Sequence, residues 1–120
     1  MHGKIAFCIL SGPYTFQATN TLVGLANAAL AKGHEITGIF FFVDGVYNVN
    51  KRIKVEAGSL DLPAELKQLA DKGVKMAACS ACAEYRGISE GDLVPGAELA
   101  GLATFGEYFE AADKVVVLGM

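Results

Sequence analysis

The residues with the most chemical potential are two thiols and a guanidinium, in the stretch Cys79-Ser80-Ala81-Cys82-Ala83-Glu84-Tyr85-Arg86. A cysteine becomes nucleophilic or redox-active when its thiolate is favoured by a neighbouring cation or by the amides at a helix start. Cys79 follows an apolar run, residues 74–78, that reads as a strand. It precedes residues 80–86, which can form about two helical turns. On such a helix Cys79, Cys82 and Arg86 stand at i, i+3 and i+7 and share a face. Arg86 then lies about 10 Å along the axis from Cys79 and acts on a bound group or through its field. Three readings follow: a nucleophilic cysteine, a CxxC dithiol, or a small inert hydrophobe ending a strand.

The remaining candidates carry less. A structural zinc site needs four ligands, and Cys8, His2 and His34 lack the spacing to complete one with Cys79 and Cys82. A metal site is therefore disfavoured. Cys8, inside an apolar strand, reads as core, and His34 follows the Gly33 helix stop and opens a strand. Ser11-Gly12-Pro13-Tyr14 ends the first strand on the same rim as Cys79 but lacks a phosphate-loop pattern. Asp44 and Glu84 read as solvated rim residues, and Phe40-Phe41-Phe42 as sheet core.

The elements that must position these groups alternate in type. Residues 4–10 (KIAFCIL) and 34–43 (HEITGIFFFV) are short apolar runs of the kind buried on both faces of a parallel sheet. Residues 17–32 form a helix, with Leu22, Leu25, Ala26, Ala29 and Leu30 on one face and Gly33 as its stop. After a turn at Asp44-Gly45, residues 47–62 look irregular, a length of connection that often serves function or assembly. Pro63 starts a helix over 63–72, with Leu66, Leu69 and Ala70 inward and Gly73 as its cap. Residues 74–78 form a third strand, 80–86 a short helix and 88–99 a loop. Residues 102–112 form the last helix and 114–118 (KVVVL) the last strand. This order predicts a single-domain, three-layer α/β/α fold over residues 1–120. It is flavodoxin-like, with a mainly parallel sheet of four or five strands. Ligands of such sheets bind beyond the carboxyl ends of the strands, where Cys79 falls.

The chain has 120 residues, enough for one domain that buries roughly two-thirds of its unfolded surface. With 52% hydrophobic and 19% charged residues, some apolar surface is expected to lie against other subunits. The net charge is −3, and only Arg52 and Arg86 are arginines, so direct nucleic-acid binding is disfavoured. The apolar run 5–10 is too short for a signal segment or a membrane span. An odd set of three cysteines agrees with reduced thiols in the cytoplasm.

Four segments carry a resemblance over nearly the whole chain to the DsrE/TusD (DsrEFH-like) sulfur-relay family. They are Gly12-Pro13-Tyr14 with Gln17-Ala18 and the helix closing at Lys32-Gly33-His34-Glu35; Phe41-Phe42-Val43-Asp44-Gly45-Val46-Tyr47-Asn48; Cys79 followed by Arg86-Gly87-Ile88; and the last helix with Ala112-Asp113-Lys114-Val115-Val116-Val117. The second and third are the most specific. The resemblance implies a sulfurtransferase in which Cys79 accepts sulfane sulfur from a donor protein as a persulfide and passes it to an acceptor thiol. Arg86 would stabilise the persulfide anion. It implies no cofactor, a homotrimer or hexamer or a hetero-oligomer with related subunits, and a relay feeding either tRNA thiolation or sulfur oxidation and reduction. Two positions depart from the family pattern. Tyr85 stands where a second arginine is frequent, and Cys82 where alanine is usual. Cys82 is therefore a possible second thiol, resolving the persulfide or holding the sulfur in turn. The alternatives are a non-catalytic subunit of a DsrEFH-like oligomer and a dithiol redox protein.

Overall fold

The computed structural model describes residues 2–119. Nine regular elements run in chain order: β1 (Lys4–Ile9), α1 (Ala18–Ala31), β2 (Glu35–Phe41), α2 (Leu62–Asp71), β3 (Met76–Cys79), α3 (Ser80–Tyr85), β4 (Ala97–Ala100), α4 (Leu102–Ala111) and β5 (Lys114–Leu118). All strand pairs are parallel, and the sheet order is β4-β3-β2-β1-β5. The chain steps one way from β1 to β4, then returns through α4 to place β5 beside β1. Right-handed crossovers in opposite directions put helices on opposite faces. Accordingly α1 packs on β1, β2, β5 and α2, while α4 packs on β1 to β4.

The core follows from the apolar runs. Phe7, Ile9, Ile39, Phe40, Phe41 and Met76 are fully buried strand residues, joined by Leu22 of α1 and by Leu66 and Leu69 of α2. Each contributes roughly 1.5–3 kcal/mol by leaving water. On the α4 side Phe40 meets Phe105 edge-on at 4.9 Å. Tyr108 lies over Gly38, where any Cβ would collide with its ring. Leu25, expected to face inward, is instead exposed. It borders a shallow apolar groove with Ile5, Phe7 and Val116, because α1 overhangs β5, the last strand on its side.

Two segments differ from the sequence-based expectation. Residues 97–100, expected within a loop, form edge strand β4 and pair with residues 76–79 of β3. Four residues behind Pro95-Gly96, with only one neighbour strand, give too short an apolar run to register as a strand. Residues 43–49, expected as a turn running into irregular chain, wind into a 3-10 helix whose Val46, Asn48 and Val49 are fully buried. The rest of the 47–62 connection is irregular and is tied down at Asn50 by a bridge to Leu93 and at Arg52 by an ion pair to Asp92. Among the described residues no helix is long and apolar enough to cross a membrane.

Candidate functional site

Cys79 is the last residue of β3 and also the residue before the first turn of α3. Its φ of −58° and ψ of 119° turn the chain from strand to helix at that point. The side chain is 6% exposed and joins the core through its inner surface. Cys82, on the third residue of α3, is only partly buried. The two thiols are neighbours, one helical turn apart. Burial pushes the Cys82 thiol up, and neighbouring Cys79 adds to that; a Val43 backbone hydrogen bond and the Arg86 charge pull it down. Cys8, as expected, is separate from this pair: it is buried in β1, and burial pushes its thiol up to about 11.

Arg86 closes α3, and its side chain is held close to the helix. It folds back one turn, donating from NH1 to the Cys82 carbonyl at 3.1 Å and from Nε to Asp44 Oδ1 at 2.9 Å. Asp44, read from the sequence as a solvated rim residue, is therefore the anchor of the site's cation. Its carboxylate raises the guanidinium pKa further above its ordinary value. The clue was positional: Asp44 lies three residues beyond the end of β2, on the rim where β3 delivers Cys79. Glu84, the other rim acid, is exposed on α3.

Three features fix this rim. Val43 has φ +46°, a left-handed conformation that is costly for a β-branched residue and is held where its backbone reaches Cys82. Gly45 crosses β1 so closely that any Cβ would overlap the Ile9 carbonyl. Asn48, fully buried, donates to the Ser11 and Gly45 carbonyls at 2.8 and 2.9 Å and accepts from Thr19 at 2.8 Å. It thus clamps the loop after β1, the 3-10 helix and α1 together. Sequence reasoning noticed Asn48 only as a polar residue and as part of a motif, since nothing in its type announces burial.

The loop after β1 lies on the same rim, with Tyr14, Phe16 and Gln17 all in left-handed conformations and Phe16 71% exposed. Tyr47 and Tyr85 are exposed as well. The crevice between β1 and β5, where the chain reverses direction, is closed: a Cβ on Gly119 would stand 2.7 Å from the Ser11 amide. A cleft of about 630 Å³ exists at the opposite, amino-terminal end of the sheet, lined in part by Glu35, Lys75, Glu98 and Tyr108, and shares no residue with the thiol site. His34 accepts a hydrogen bond from the Gly3 amide at 2.8 Å, a structural role at that far end. No group of His, Cys, Asp and Glu among the described residues has a metal-binding arrangement.

A parallel α/β domain with a cysteine pair at the carboxyl end of one strand and an anchored arginine beside it is the class defined by these elements. The DsrE/DsrF-like family model matches residues 3–118, and the chain belongs to that family. Among curated relatives, the "Sulfurtransferase TusD" of Cronobacter sakazakii is 32% identical over 121 residues, covering 90% of this chain and 94% of that protein. A "Sulfurtransferase TusD homolog" of Pseudomonas aeruginosa is 32% identical over 128 residues, covering 97% of each. The crystal structure of the ychN protein from E. coli superposes with a TM-score of 0.86 at 25% identity, covering 96% of this chain and 98% of that one. A Methanobacterium thermoautotrophicum protein of unknown function shares the fold, with a TM-score of 0.73 at 16% identity over 95% of this chain and 98% of that one.

Proposed function

We propose that this protein is a sulfurtransferase of the carrier type in a sulfur relay. Cys79 takes sulfane sulfur from a donor protein as a persulfide and hands it to an acceptor protein thiol. The observation that carries this reading is the site of Cys79, at the carboxyl end of β3, one helical turn from a partly exposed Cys82 and two turns from the anchored Arg86. The relatives named as sulfurtransferases support it. In the transfer a donor persulfide is attacked by the Cys79 thiolate, its outer sulfur moves to Cys79, and the donor thiolate leaves; the reverse step loads the acceptor. Bonds broken and formed are alike, so direction is set by the partners. Arg86, released from or shared with Asp44, is the cation available to a persulfide anion on this rim.

The protein works in the cytoplasm and as an oligomer in this reading. Val115 and Val117 on edge strand β5 are exposed apolar residues suited to contact with further copies of the chain, as a homotrimer or hexamer, or with related subunits. Light scattering of the purified protein tests the assembly, and a monomer at micromolar concentration would count against it. The function is tested by incubating reduced protein with glutathione persulfide and weighing it intact. Gain of one sulfur atom, abolished in Cys79→Ser and retained in Cys82→Ala, is the expected result. Equal uptake by the Cys79→Ser protein would overturn the assignment of Cys79.

A further inference from the structure

We infer that Cys82 is a resolving thiol: when no acceptor is docked, it discharges a Cys79 persulfide as sulfide and closes a Cys79–Cys82 disulfide. This rests on the carrier reading above and adds a second outcome to it. The pair is built for such closure. Cys79 and Cys82 stand one helical turn apart and bracket the junction of β3 and α3, which makes their thiols neighbours. A disulfide needs Cβ atoms within about 4.5 Å and facing side chains, which a neighbouring i, i+3 pair can supply with little backbone movement. Cys79 is nearly buried and Cys82 partly exposed, and an acceptor taking the outer sulfur competes for the persulfide with Cys82 attacking Cys79 Sγ.

The step balances without another oxidant. The Cys82 thiolate attacks Cys79 Sγ; the Sγ–Sγ bond forms as the bond from Cys79 Sγ to the outer sulfur breaks. Hydrosulfide leaves with the electron pair, and the Cys82 proton passes to solvent. The sulfane sulfur is reduced to sulfide and the two cysteines are oxidised to the disulfide, which a thiol reductant reopens. Because burial and Cys79 hold Cys82 in its protonated form, discharge is slow, leaving time for transfer to an acceptor.

The test loads reduced protein with glutathione persulfide under argon, removes small molecules by gel filtration, and follows intact mass and free sulfide over time. Wild type is expected to lose the added sulfur as one equivalent of sulfide and end lighter than the reduced protein by two hydrogens. Cys82→Ala, and independently Cys82→Ser, keep the sulfur about tenfold longer or more and form no disulfide. If wild type and both variants keep their sulfur equally long, the discharge step is wrong and the carrier reading stands. If none of the three takes up sulfur, the carrier reading falls and the discharge step falls with it.

Discussion

The Arg86 guanidinium and the Asp44 carboxylate form an ion pair at 2.9 Å that ties the end of α3 to the first turn of the 3-10 helix after β2. The pair joins the two segments that flank Cys82, one through the Cys82 carbonyl and the other through the Val43 backbone. Its Asp44 side is 65% exposed, so solvent screens it and its part in stability is small. Its part in chemistry is to hold a cation at the rim.

Replacing Arg86 should therefore separate folding from transfer. Arg86→Gln is expected to melt close to wild type but to accept sulfur from glutathione persulfide roughly tenfold more slowly, the scale of one lost charge-assisted contact. Asp44→Asn keeps the cation and loses only its anchor, so a smaller reduction is expected. Stopped mixing followed by intact-mass quantification reads both rates, and equal rates in all three proteins would remove Arg86 from the mechanism.

Asn48 is expected to matter more for stability than any charged residue of the rim. Asn48→Ala removes, in a buried site, the donor shared by the Ser11 and Gly45 carbonyls and the acceptor of the Thr19 hydroxyl. Each buried group left without its partner costs about 1–3 kcal/mol. Urea denaturation should show a lower midpoint with an unchanged slope, and a midpoint equal to wild type would show that the clamp is dispensable.

The sheet and the cysteine face were legible in the sequence because both rest on local patterns. Apolar runs marked β1, β2 and β5, and the i, i+3, i+7 spacing brought Cys79, Cys82 and Arg86 together. The clamp and the anchor were not legible, because Asn48 and Asp44 gain their roles from partners far along the chain: Ser11 and Arg86. Nor was β4, which is a strand only because β3 offers it a ladder. The course of the Arg86 side chain was not legible either. Helical spacing gives the position of its Cα, while the direction of a long side chain is decided by the acceptors within reach, here the Cys82 carbonyl and Asp44.

Two glycines with opposite surroundings give a paired test of packing. Gly45→Ala forces a Cβ into the Ile9 carbonyl, 2.8 Å from its carbon, and both contacts are backbone that cannot yield cheaply. This variant is expected to be poorly folded or strongly destabilised. Gly24, within α1, has nothing within 4 Å of the position a Cβ would take. Gly24→Ala should raise stability by about 0.5–1 kcal/mol through helix propensity and the unfolded chain's lost freedom. Thermal melts of the two variants should move in opposite directions.

Cys8 predicts how stability falls in alkali. Its thiol titrates at about 11 in the folded protein against an ordinary value of 9.0, since burial disfavours the thiolate. Between those values the unfolded chain has released a proton that the folded chain retains, so unfolding is favoured progressively as pH rises. The stabilising effect of the neutral thiol is complete below pH 9 and is lost by about pH 11. At roughly 1.4 kcal/mol per pK unit, the loss is on the order of 3 kcal/mol. Tyr108, pushed up to about 12 from 10.0 mainly by burial, extends the decline further into alkali. Cys8→Val, which keeps an apolar side chain of similar size in β1, should remove Cys8's share of the decline between pH 9 and 11 and leave the parts due to Cys82 and Tyr108. Urea midpoints at pH 7, 9 and 10 check this, and identical pH profiles for the two proteins would show that Cys8 does not govern it.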